Sequence, residues 1–295
     1  MGRLRVRDLC PAFGAEITGL DLRGELDGAT RGQLREAFDE RGLLLFRGLD
    51  IDRAMQAYLS ELVRLDIAFS LADAAELAGQ QDSFWISNKE PGAAAPFGRL
   101  MFHCDMMWSP KPFHVLSLYG VEVEPPVVPT VFASSANAWA TLPAELRSRV
   151  ESRSALQVTG PEGFDDRRRG GDDGQLLNPQ RDSVLTTTTP VGYRHPRTGR
   201  TLLYVCQQMT KEIVGLTPDE SEDLLGQLFT HLYQPANVWQ HDWRNGDLVV
   251  WDNLAIQHAR SDVRVDGPAR TLRKIGSPVP TARAEHVIAS YTPIS

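Results

Sequence analysis

The chain has 295 residues, 42% hydrophobic and 23% charged, with a formal net charge of -7 and a sequence pI near 5.5. That length suits one large domain or two small ones, and the composition is that of a folded globular protein. The acidic balance argues against wrapping nucleic acid, which needs a basic excess. Cys10, Cys104 and Cys206 are too few and too irregularly spaced for a disulfide framework or a zinc ribbon.

The N-terminal residues, Met1 to Arg5, lead straight into mixed polar sequence with no apolar leader core, and no apolar run is long enough to span a bilayer. A cytoplasmic protein without membrane partners is therefore expected. Ala15 to Leu22 alternates loosely and is bounded by glycines, as a strand would be. Thr30 to Arg41 places Leu34, Ala37 and Phe38 at helical spacing, with Asp27 or Thr30 as cap. Leu43-Leu44-Leu45-Phe46 reads as a short buried strand, and Met55 to Val63 as a second helix. Residues 78–100, with a strand-like Phe84-Trp85-Ile86-Ser87 embedded in them, and 160–182, read either as a solvated surface excursion or as a lid, are irregular, and both are candidate lid loops.

Beyond residue 113, short strand-like runs dominate: His114 to Val123, Val184 to Thr189, Thr201 to Cys206, Asp247 to Trp251 and Thr271 to Ile275. One helix interrupts them, opened by Thr217-Pro218-Asp219-Glu220 and striped by Leu224, Leu225, Leu228 and Leu232. Many short strands, few helices and no βαβ rhythm predict a mainly β fold with flanking helices, closed as a double-stranded β-helix, the jelly roll of cupin-like proteins.

The chemistry concentrates in two segments. In Phe102-His103-Cys104-Asp105-Met106-Met107-Trp108, an extended backbone would turn His103 and Asp105 to one face. A third ligand from elsewhere would complete two nitrogens and one oxygen around a metal, the facial arrangement that suits non-haem Fe(II). The second segment runs from Asn245 through the apolar Leu248–Trp251 to Asp252, Asn253 and His258, with Arg270 and Arg273 further on. Arginine suits a dicarboxylate partner because its planar fork grips a carboxylate at two points.

These segments resemble the taurine dioxygenase/TfdA family of Fe(II)/2-oxoglutarate-dependent dioxygenases. The likeness extends to Gly14–Leu22, Gly42–Gly48, Tyr193–Arg200 with Leu202–Val205, Met209–Leu216 and the Trp251-Asp252-Asn253 triplet. It implies Fe(II) on His103, Asp105 and His258, with 2-oxoglutarate and O2 as cosubstrates. It places Arg273, fifteen residues after His258, on the far carboxylate of 2-oxoglutarate, with Thr130 beside it. Thr130 follows Val127-Val128-Pro129, where the family often has Gly-Gly-Asp. Arg270 would be a helper cation, although its odd offset from Arg273 turns it to the opposite strand face. Lys274 follows Arg273, so a shift of one residue would exchange them. Asn88, Phe102 and Met106, with Phe84 and Trp85, are candidate substrate contacts by position.

The implied activity is oxidation, chiefly hydroxylation, of a small molecule with release of succinate and CO2. Desaturation, epoxidation or cyclisation at the same iron centre, a cupin-like metalloenzyme that does not use 2-oxoglutarate, and a non-enzymatic binding module are the alternatives. Relatives are often homo-oligomers, and a homo-oligomer is the expectation here.

Overall fold

The computed structural model describes residues 4–64, 69–79, 84–159 and 185–277. Its framework is two facing antiparallel sheets. The larger has seven strands: β1 (Arg5–Asp8), β2 (Ala15–Thr18), β3 (Leu43–Phe46), β4 (Phe84–Ser87), β6 (Val115–Val123), β14 (Leu248–Asp252) and β16 (Arg270–Ser277), in the order β1-β2-β3-β14-β6-β16-β4. Only β2 and β3 run parallel among its pairs. The smaller has four: β5 (Gly98–His103), β7 (Thr130–Ser134), β13 (Val238–His241) and β15 (Ile256–Val263), in the order β13-β7-β15-β5.

Alternation along the strands assigns every side chain to a layer. On β3, Leu44 and Phe46 pack outward under helices α1 (Gly28–Arg41), α2 (Arg53–Arg64) and α3 (Leu71–Gly79), while Leu43 and Leu45 face the second sheet. β14 repeats the pattern, with Leu248 and Val250 outward and Val249 and Trp251 inward. Both strands are apolar throughout because both of their faces are covered. α1 begins at the Asp27 cap, whose carboxylate accepts the Thr30 N–H at 2.8 Å, and ends at Gly42 in the left-handed region (φ 70°).

A third layer lies beyond the small sheet. Helices α4 (Ser135–Ala140), α5 (Ala144–Val150) and α6 (Pro218–Leu232) share a core with β8 (Ser154–Val158) and β12 (Thr210–Ile213), and β9 (Thr186–Pro190) completes the sheet β12-β8-β9. α6 opens with a full capping box between Thr217 and Glu220. The hairpin β10 (Gly192–Arg194)–β11 (Thr201–Leu203) is fastened to β14 through the buried Asp252 carboxylate: the buried His195 Nε2 lies 3.0 Å, and the exposed Arg197 Nη2 3.1 Å, from it. Arg197 also pairs with Asp39 at the end of α1.

The expected jelly roll is therefore present, with its core between the two sheets. Residues 84–87, within the stretch expected as a lid, form edge strand β4 paired to β16, so this part belongs to the sheet. The second expected lid, 160–182, lies outside the described residues. No helix among the described residues is long and apolar enough to cross a membrane.

Candidate metal centre

His103 is the last residue of β5, and His258 sits directly opposite it on β15. Opposed residues of an antiparallel pair share a face, so both rings enter the space between the sheets, 4.1 Å apart. Asp105 arrives differently from the expected extended triplet. The strand ends at His103, and Asp105 stands in a turn, followed by Met106 at φ 60°. This left-handed non-glycine residue bends the chain so that the carboxylate comes back over the two rings. Asp105 Oδ1 lies 3.3 Å from His103 Nε2 and 3.8 Å from His258 Nε2. The three ligand atoms lie within 4.8 Å of one another and all three residues are buried.

The surroundings prepare these groups for a cation. His103 Nδ1 is 2.8 Å from the Met101 carbonyl. That nitrogen therefore carries the proton and donates, leaving the Nε2 lone pair free toward the centre. His258 is packed edge-on against Trp251 and beside Phe132. Burial first, then the neighbouring His103, drives its pKa well below the usual range, so the ring is neutral. Asn253 clamps the turn from both sides: its Oδ1 accepts the Asp105 N–H at 2.9 Å, and its Nδ2 donates to the carbonyls of Asp105 (2.9 Å) and Phe113 (3.0 Å). Lys274 Nζ pairs with Asp105 Oδ2, leaving Oδ1 to face the histidines. Burial alone would raise the Asp105 pKa. The Lys274 charge outweighs it, and the carboxyl is held well below its ordinary value. Two imidazoles and one carboxylate on a common face fit a divalent non-haem iron and leave positions open for other ligands.

β16 corrects the sequence-based assignment of the cosubstrate arginine. Arg270, Leu272 and Lys274 share one face, and Arg273 lies on the other. Arg273 points toward α2, with Nε donating to Gln56 Oε1 at 2.7 Å, Nη2 to the Ile51 carbonyl at 2.9 Å, and its guanidinium 4.7 Å from the Tyr119 ring centre. It is thus separated from the triad by the sheet. Arg270 faces inward instead. Its Nη2 reaches Thr130 Oγ1 at 3.0 Å, and its Nε the Val128 carbonyl at 3.0 Å. Thr130 Oγ1 also accepts Trp243 Nε1 at 2.9 Å. With both acceptor positions taken, the threonine proton remains to be donated.

The expected substrate contacts sort by the same alternation. Phe102 is turned away from its neighbour His103 and stacks on Tyr233 at 4.1 Å in the outer core, so it does not face the metal side. The Asn88 amide is spent on main chain: Nδ2 donates to the carbonyls of Arg264 and Pro268, and Oδ1 accepts the Arg270 N–H. Asn88 therefore sets the strand that carries Arg270 and is not a free pocket group. Met106 is buried beside Asp105 in a cluster with Met107, Trp108 and Tyr204. Phe84 lies beneath the Lys274 ammonium, 5.5 Å from ring centre to nitrogen. The sequence reading missed Arg260 on β15 and the inward course of Lys274. Strand parity counted from His258 and Arg270 was the signal for both.

The fold and site define a jelly-roll metalloenzyme with a two-histidine, one-carboxylate centre. Residues 5–275 match the family described as "Taurine catabolism dioxygenase TauD, TfdA family", and the chain belongs to that family. It is 28% identical to pentalenolactone F synthase of Streptomyces avermitilis, over 90% of each chain. It is 29% identical to (S)-phenoxypropionate/alpha-ketoglutarate-dioxygenase of Sphingobium herbicidovorans, over 85% of this chain and 88% of the relative. The crystal structure of a taurine dioxygenase from Burkholderia xenovorans superposes with a TM-score of 0.71 at 25% identity, covering 92% of this chain and 90% of that one. The protein is an Fe(II)- and 2-oxoglutarate-dependent dioxygenase that oxidises a small molecule.

Proposed function

We propose that the enzyme hydroxylates a small substrate bearing an anionic group, with Fe(II) held by His103, Asp105 and His258 and the far carboxylate of 2-oxoglutarate held by Arg270 and Thr130. When bound, iron with 2-oxoglutarate and O2 supplies the oxidising power for an unactivated C–H bond, releasing succinate and CO2.

The observation that carries this reading is the inner face of β16. Arg270 offers a planar fork beside a threonine whose proton is unspent, a pairing that suits a carboxylate. Lys274 stands two strand repeats away, against the Asp105 carboxylate, where an ammonium orients an anionic substrate as a point charge. Phe132 and Trp251 wall the ligand His258 with apolar surface and keep water from the reacting centre. Two relatives carry anions in their names: phenoxypropionate is a carboxylate, and taurine a sulfonate. The net charge of -7 supports a cytoplasmic enzyme of small molecules rather than one directed at nucleic acid or anionic membranes, and it acts as a homo-oligomer like many relatives.

The test is substrate-dependent succinate release, measured over a panel of carboxylates and sulfonates against their neutral amides. Anions are expected to be turned over and the matched amides not, and Lys274→Met should raise KM for the anion about tenfold or more. Equal turnover of anions and amides would remove the anionic class. Mass analysis of the product separates a gain of one oxygen from desaturation, epoxidation or cyclisation.

A further inference from the structure

β15 pairs with β7 in unbroken register, His258 opposite Phe132 and Arg260 opposite Thr130. Opposed residues, and residues two apart on a strand, share a face. Arg260 therefore lies on the inner face, two residues along from His258 and directly across from the threonine that Arg270 touches. It is 5% exposed. Its Nε and Nη2 donate only to the main-chain carbonyls of Phe97 and Gly98, at 2.7 to 3.3 Å.

Carbonyls satisfy donors but do not neutralise a cation. Arg270 is likewise 4% exposed, bonded to a carbonyl and a hydroxyl. Neither arginine has a carboxylate in ion-pair contact among the described residues. Burial, then the nearby Arg260 charge, pushes Arg270 well below the usual arginine range, and the exposed Asp262 is the carboxylate whose charge reaches Arg260. Two like charges stripped of water beside each other are unfavourable unless an anion joins them.

We propose that Arg260 is a specificity-determining residue of the keto-acid site, its buried charge adding to that of Arg270 so that a dicarboxylate 2-oxo acid is selected over a monocarboxylate of equal length. This rests on the reading that Arg270 and Thr130 hold the far carboxylate. A monocarboxylate would leave Arg270 without a counter-charge and Arg260 with only the exposed Asp262 outside ion-pair contact. The second carboxylate of 2-oxoglutarate supplies the missing charge. A purely structural Arg260, pinning Phe97 and Gly98 to β15, would affect both keto acids alike.

The experiment is calorimetric titration of the Mn(II)-loaded protein with 2-oxoglutarate and with 2-oxopentanoate, in the wild type, Arg260→Gln, Arg260→Lys and Arg270→Gln. Arg260→Gln keeps a donor for the carbonyls and removes the charge. It is expected to weaken 2-oxoglutarate binding about tenfold or more, while 2-oxopentanoate stays within about twofold. Arg260→Lys keeps the charge and should retain most of the wild-type preference. Equal loss for both acids in Arg260→Gln, an unchanged preference there, or a preference lost in Arg260→Lys overturns the assignment. Should Arg260→Gln not fold, the Arg260→Lys ratio decides. Failure of the underlying reading looks different: Arg270→Gln would then leave 2-oxoglutarate affinity unchanged.

Discussion

At the scale of single residues, Asn253 and the two arginines of β16 separate roles that look alike in sequence. Asn253 touches no ligand side chain; it holds the main chain of Asp105 at both N–H and C=O. Groups that fix a ligand's orientation typically change metal affinity about 10–100-fold when removed. Asn253→Ala is therefore expected to weaken Mn(II) binding by that factor in calorimetry. Unchanged affinity in a folded variant would show that the turn holds itself. Arg273→Ala should leave 2-oxoglutarate affinity within about twofold. It should lower stability in urea by about 1–3 kcal/mol, because Gln56 and the Ile51 carbonyl lose a charged donor. Arg270→Ala should do the reverse to cosubstrate binding. The cluster of His103, Asp105 and His258 was legible because a His-x-Asp pair and a distant histidine leave a sequence trace, and the Trp251-Asp252-Asn253 triplet marked the second segment. The arginines were not separable by offset alone: Arg270 and Arg273 are three apart and must face opposite ways, and only the packing of α2 against the outer face decides which is inside.

Among the elements, the strands were readable where both faces are buried, as in Leu43–Phe46 and Leu248–Asp252, and helix α6 was readable from its cap. Less so were α3, α4, α5 and β13, which are short and owe their form to packing rather than to a clear period. The turn at Asp105 also escaped an extended reading, because a left-handed Met106 is a tertiary outcome with no sequence mark. The hairpin β10–β11 depends on the buried Asp252 carboxylate. Burial would raise its pKa from 3.8, but the hydrogen bond and charge of His195, with the Arg197 charge, hold it below that value. Folding thus favours the ionised form. The stabilisation is full above the unfolded carboxyl's titration and is lost as pH falls through the lower, folded value. Asp252→Asn should cost about 3 kcal/mol at pH 7 by breaking a buried pair, and its deficit against wild type should shrink as pH falls below 3.8. A deficit independent of pH would mean that the amide loses packing alone.

For the whole molecule, the two sheets bring ligands from β5, its following turn and β15 together across more than 150 residues of sequence, so the site exists only in the folded state. Metal binding should then stabilise the fold. Mn(II) at about one hundred times its Kd should add about 2.7 kcal/mol, seen as a higher Tm in the wild type and absent in His258→Ala. The measurement that bears most directly on the whole assignment is anaerobic addition of Fe(II) and 2-oxoglutarate to the purified protein, followed by visible absorbance. Chelation of the iron by the keto acid should give a weak charge-transfer band in the wild type and in Arg273→Ala. The band should be lost in His258→Ala and require far more 2-oxoglutarate in Arg270→Ala. Absence of the band in iron-loaded wild type would contradict 2-oxoglutarate chelation at this centre. A band lost in Arg273→Ala but intact in Arg270→Ala would contradict the assignment of the inner face of β16.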